Sequence, residues 1–362
     1  MHLSGRSKNP ATLAVATCFA LSVPCFAVAL PSEEAYKNQA IEIGTQKVVQ
    51  YIEQREAEYY NIESIDYEIY NVEESLNELS FDVVVTIMHE LKADKAEDLP
   101  FVQGMLCAMN RRAELSAEPA QKNVFNDRIA EIDACVDEIT RMMMYFNVSA
   151  NIGGASITNN DVQIFALDSS DNKVDVSEYD VTSYDDMFNQ GYRSVEAVTM
   201  ESQAGVLSTD GNRLADPISN YDDYDRIAAR DYAYEWWGPN DSNYNPAYSN
   251  WNNDGGDCAN FVSQCIKAGG VDTDGTWYKD SPVWISTSKL AKYMVDNGYA
   301  TAESYLDTNA GNFATKPGHS VLVTINNTVD VCYTAHNTNR KDAAFTNTEL
   351  NSTYTFYVIK NY

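Results

Sequence analysis

Two glycine pairs constrain this chain more tightly than any other feature. Gly255-Gly256 ends a polar loop, NDSNYNPAYSNWNNDGG, and Gly269-Gly270 stops whatever follows. Between them runs Asp257-Cys258-Ala259-Asn260-Phe261-Val262-Ser263-Gln264-Cys265 and on to Ala268. Asp257 is a good N-cap, because a carboxylate accepts from the free N–H groups of a first helical turn. The spacing predicts a helix that starts at Cys258. Cys258, Phe261 and Cys265 step by three and four and share one face, which Phe261 marks as buried. A cysteine in a first helical turn sits where free N–H groups and the helix dipole favour a thiolate.

A thiolate nucleophile needs a base or a cation beside it. The last third of the chain offers two histidines, His319 and His336, in GHSVLVTINNTVDVCYTAHN. His319, Val321 and Val323 alternate along one strand, and Val331, Tyr333 and Ala335 along another, with Asn326-Asn327-Thr328 as the turn. A two-residue turn at Asn327-Thr328 opposes residues whose numbers sum to 655, the sum for His319 and His336. A turn at Asn326-Asn327 makes them diagonal neighbours. The hairpin is therefore expected to bring the imidazoles together, His319 as base on Cys258 and His336 orienting His319.

Other readings stand beside this one. A zinc site from Cys258, Cys265 and the two histidines lacks the usual close cysteine spacing. A Cys258–Cys265 bridge is excluded, because seven helical residues rise about 10 Å. Bridges Cys265–Cys332 or Cys107–Cys135 remain open, and spacing alone does not choose between a catalytic Cys258 and these alternatives.

The rest of the chain sets the frame. Residues 1–29 read as a secretory signal: Arg6 and Lys8, then an apolar run to Ala27-Val28-Ala29, with cleavage expected after Ala29. No stable membrane insertion is expected after cleavage. Five cysteines remain, an odd number for an oxidising compartment. The 25 basic and 53 acidic residues leave a net charge of −28, which argues against nucleic-acid binding. Residues 30–168 read as a small accessory α+β domain. It has helices over Glu33 to about Tyr60, Leu99 to Met109 and Gln121 to Phe146, and a strand in SFDVVVTIM. The Gln121–Phe146 helix rests on an apolar stripe from Phe125 through Ile132 and Ile139 to Phe146. His89, the only histidine there, reads as structural. Residues 169–220 are acidic and polar and read as a linker region, with a strand possible at Ser194 to Thr199. The second domain spans 221–362.

Several motifs there resemble the putative amidase domain family of secreted bacterial proteins, a branch of the papain-like NlpC/P60 and CHAP group. They are Tyr224-Asp225-Arg226, Tyr232-Ala233, Asn245-Pro246-Ala247-Tyr248, the Asp257–Gln264 run, Ala268-Gly269-Gly270, His319-Ser320-Val321 and Ala335-His336-Asn337. The resemblance covers about Tyr221 to Tyr362. It implies an α+β fold whose papain-like (NlpC/P60-like) C-terminal domain packs a helix on an antiparallel sheet. It also implies a Cys–His–polar triad: Cys258 as nucleophile, His319 as base and His336, or more weakly Asn337, as third member. Asp257 and Asn260 fall on the motif's cap and helix-start positions. The Gly-Asp that usually opens the strand before the histidine is absent from Leu306 to Gly318.

The chemistry implied is amide hydrolysis without metal or organic cofactor, on a peptide or peptidoglycan substrate outside the cell. The Cys258 N–H would hold the oxyanion, with Tyr248 or Asn253 as a second donor. Trp251, Trp277, Tyr278 and Trp284 read equally as groove or core. The competing classes are an inert secreted binding module and an extracellular acyl-transferase on the same fold.

Overall fold

The structure, a computed structural model, describes residues 33–113, 119–154, 156–207, 224–238 and 243–360. The proposed signal segment lies outside the described residues.

Helix α1 (Glu33–Glu56) is followed by a long hairpin, β1 (Tyr60–Glu74) and β2 (Glu78–Leu91). The alternation read in SFDVVVTIM holds: Phe81, Val83, Val85 and Ile87 are buried, and their neighbours are half-buried. Helices α2 (Pro100–Ala113) and α3 (Pro119–Asp133) come next. The helix expected to run to Phe146 stops at Asp133, and Thr140–Asn151 is strand β3. Met142 to Val148 are all buried, so both faces of β3 are covered and no period of two betrays it. Strands β4 (Val162–Leu167) and β5 (Lys173–Val174) follow.

The acidic stretch is not a plain connection. Tyr184–Leu207 is helix α4, and the strand expected at Ser194–Thr199 is part of it. It crosses α2 at two glycines: a Cβ on Gly104 would meet the Phe188 carbonyl oxygen at 2.0 Å, and one on Gly191 the Phe101 carbonyl oxygen at 1.8 Å. Then come α5 (Arg226–Trp236), α6 (Cys258–Ala268) and α7 (Thr287–Asp296). Strands β6 (Ala300–Glu303), β7 (Phe313–Lys316), β8 (His319–Asn326), β9 (Val331–Ala335), β10 (Arg340–Ala344) and β11 (Thr355–Ile359) complete the chain.

The fold is α+β, and among the described residues its strands form one sheet, ordered β1-β2-β3-β10-β9-β8-β7-β11-β6, with β4 and β5 branching from β3. The strand β10 pairs parallel to β3 at Ala343 and Met143, so the two halves of the chain share a sheet. Buried charge ties them further. Arg55 of α1 bonds Asp330 in the β8–β9 loop, and Tyr60 stands 3.0 Å from the amide of Asn327. His89 is structural here: it bonds Glu56 at 2.6 Å and stacks on Tyr60. Helices α5, α6 and α7 cover one face of the C-terminal strands through Phe261, Cys265, Leu290, Phe313 and Leu322. The opposite face buries Val321, Val323, Tyr333, Phe345 and Phe356.

Candidate active site around Cys258

Helix α6 forms where the glycine pairs place it. Gly255 and Gly256 take φ of +109° and +110°, a region that glycine enters freely. Gly256 is also pressed against Asn337, whose amide nitrogen would lie 2.5 Å from an added Cβ. Asp257 occupies the N-cap position, yet its side chain makes no cap bond. Its Oδ1 accepts instead from the Trp251 N–H at 2.9 Å and the Asn260 amide at 2.8 Å, and its Oδ2 lies 2.6 Å from His336 Nδ1. Asn260 is fixed in turn by the Trp284 indole N–H at 2.8 Å. Asn337, at φ +76°, accepts from the Asp257 N–H at 2.7 Å.

His336 is a buried strut in this network. Its ring lies between Tyr244 (centroids 3.5 Å) and Phe261 (4.0 Å). Its Nε2 is 2.8 Å from the Trp236 carbonyl, which can only accept, so Nε2 carries a hydrogen. The other nitrogen is held by Asp257 Oδ2. Neither is free to take a proton from Cys258.

The expected pairing of the two histidines does not form. The turn centres on Thr328-Val329, one residue later than expected, since Asn327 N bonds Asp330 O. That change alone keeps the parity of the register. A β-bulge between Val323 and Ile325 then breaks it: Asn326 opposes Val331, but Val323 opposes Tyr333 and Leu322 opposes Thr334. A one-residue slip turns every later side chain to the other face. Continued to the strand ends, the register sets His336 against Ser320, on the α6 face. Ser320 donates to Thr287 Oγ1 at 2.9 Å, and Leu322 packs with α6. His319 falls on the opposite face with Val321 and Val323. Lys316, directly opposed to it, points its ammonium at the Ser170 hydroxyl at 2.7 Å on that far face.

His319 is 9% exposed, and its Nε2 has no hydrogen-bond partner. Burial first, then the charges of Lys316 and Arg340, push it down to about 3, so it is neutral at any ordinary pH. The role of His336 in orienting His319 is thereby corrected, and no hydrogen bond joins Cys258 to His319 among the described residues.

The Cys258 sulfur has other neighbours: Thr287 Oγ1 and the Gly318 carbonyl, each at 3.8 Å. Burial raises the thiol, while the backbone N–H groups of Ser320 and Ala259 and the Thr287 hydroxyl pull it down; the net shift is upward. Gly318 and Ser320 flank His319, so the sulfur touches the backbone on both sides of that histidine. No spacing in the sequence marks Thr287 as a sulfur neighbour, because it comes from another helix. The thiol opens on a cavity of about 720 Å³ lined by Trp251, Thr287, Lys289, Thr315 and Tyr357 among others. Tyr248 stacks on Trp284 in the core and Asn253 is exposed; neither lines that cavity. Trp277 and Trp284 are fully buried. All five cysteines of the described residues are free thiols, and no three metal-ligating side chains gather there.

Residues 223–359 match the family model described as "Putative amidase domain", which places an amidase-type hydrolase domain over this part of the chain. Cys258, His319 and His336 all lie inside the match. The uncharacterized protein YhbB of Bacillus subtilis (strain 168) is 38% identical over 65 residues, 18% of this chain and 19% of that protein. The likeness therefore spans about a fifth of either chain. No solved structure matches.

Proposed function

We propose that the C-terminal segment, residues 221–362, is a cysteine amidase of papain-like type, exported by the segment 1–29 and acting on peptide amide bonds such as those of peptidoglycan. One observation carries the reading: the Cys258 sulfur lies at a helix start, on the floor of a cavity, among two backbone N–H groups and a hydroxyl that favour its charged form. In this reading His319 takes the thiol proton, and the sulfur attacks the amide carbonyl. The C–N bond breaks as His319 returns the proton to the leaving amine, and water then splits the thioester. The Cys258 N–H holds the oxyanion. His319 lies on the other face of β8 here, so this reading requires the start of β8 to rearrange when substrate enters. His336 and Asp257 act as positioning residues that hold the start of α6.

The test is amine release from purified peptidoglycan and from peptide amides. Cys258→Ala and His319→Ala should each lose roughly a thousand-fold or more, and full activity in Cys258→Ala would end the proposal. An inert binding module is the second reading, favoured by the raised thiol and by the lack, among the described residues, of an imidazole bonded to it. It requires wall peptides to bind with no amine released. Transfer of the acyl group to an added amine, in preference to water, would make the domain an acyl-transferase.

A further inference from the structure

We propose that the Cys258 cavity selects amide substrates that carry a carboxylate, held by Lys289 and the first turn of α7. The proposal rests on the amidase reading and names its substrate class. The cavity lies between the first turns of α6 and α7 and the strands β7 and β11. In α7 the first helical bond runs from Leu290 N to Ser286 O, so the N–H groups of residues 287–289 have no acceptor within the helix. Ser286, the N-cap, makes no side-chain cap bond to them. Lys289, on that same turn, lines the cavity and forms no ion pair among the described residues.

An independent observation comes from the opposite wall. Thr315 is 8% exposed and opposes Ser320, whose hydroxyl meets Thr287, so Thr315 faces α7 across the cavity. It lines the cavity, and among the described residues its hydroxyl has no hydrogen-bond partner. The wall thus presents a cation, a helix start and a spare hydroxyl. Of the other charged lining residues, Lys316 sends its ammonium to Ser169 and Ser170 on the far face, and Asp254 sits on the loop before α6. Helix-start N–H groups and a lysine ammonium on the wall beside the thiol favour an acceptor that carries negative charge. A carboxylate supplies both, from a peptide C-terminus or an acidic side chain.

The experiment compares alkylation of Cys258 in the full chain by iodoacetate, which carries a carboxylate, and by neutral iodoacetamide. Peptide mass mapping separates Cys258 from the exposed Cys107. The iodoacetate-to-iodoacetamide rate ratio should fall on the order of five-fold in Lys289→Gln. It should be kept in Lys289→Arg and in Lys292→Gln, a control that removes a charge from the same helix. A ratio equal to that of a free thiol in solution, unchanged by Lys289→Gln, overturns the carboxylate proposal and leaves the amidase reading standing. Failure of both reagents to reach Cys258 in the folded chain would remove the amidase reading itself. Protection of Cys258 by acetyl-Ala-Ala with a free C-terminus, or by acetyl-Ala-Glu amide, tells a terminal from a side-chain carboxylate. Protection by neither, relative to neutral acetyl-Ala-Ala amide, also overturns the proposal.

Discussion

His319→Gln gives the sharpest test of the site as it stands. An unfolded histidine takes up a proton near pH 6.5, whereas His319 in the folded chain is pushed down to about 3 by burial and by Lys316 and Arg340. Between those values the unfolded chain binds a proton that the folded chain refuses. Stability therefore falls as pH drops below about 6.5 and stops falling, for this group, only near pH 3. Each pH unit in that window costs up to about 1.4 kcal/mol, so moving from pH 6.5 to 4.5 costs at most roughly 2.7 kcal/mol. The side chain is 9% exposed, so solvent screens little of this. The 53 acidic residues titrate in the same range, and a single protein's pH profile would be unreadable. The difference between wild type and His319→Gln cancels them. Urea unfolding at pH 7 and pH 4.5 should show wild type losing about 2–3 kcal/mol more than the variant. A difference that stays constant between the two pH values would mean that His319 is solvated or charged, and the face assigned to it would be wrong.

Other expected outcomes follow from the same contacts. His336→Ala leaves Asp257 buried without its partner and should cost about 3–5 kcal/mol in chemical denaturation; a loss under 1 kcal/mol would refute the strut. Gly255→Ala and Gly256→Ala share the same strained φ, but only the second meets Asn337, so Gly256→Ala should be the more destabilising, by about 1–3 kcal/mol in thermal or urea unfolding. Residues 221–362 expressed alone lose the β3 partner of β10 and the Arg55 partner of Asp330, and should show no cooperative unfolding by circular dichroism. A stable, cooperative fragment would show that the shared sheet is dispensable.

Local signals in the chain were enough to place several elements. The glycine pairs bounded α6 and put Cys258 at its start, and alternation marked β2 and the core of β8. They fail where burial erases periodicity. In β3, Met142 to Val148 are all covered, so an apolar run that also has helical spacing reads as helix. In α4 the polar sequence conceals a helix that becomes evident only when Gly104 and Gly191 bring α2 against it. The decisive case is the histidine pair. Alternation correctly sets His319 with Val321 and Val323, but which face of the sheet that is depends on the bulge at Thr324. Thr324 donates to Asp342 at 2.9 Å, and Asp342, at φ +50°, bonds Thr334 in return. The turn beyond is held by Asn327, which meets Tyr60, and by Asp330, which meets Arg55. Those partners lie far away in the sequence. A strand's own residues decide which of them point together, while the register that decides what they point at is set by contacts only the folded chain can make.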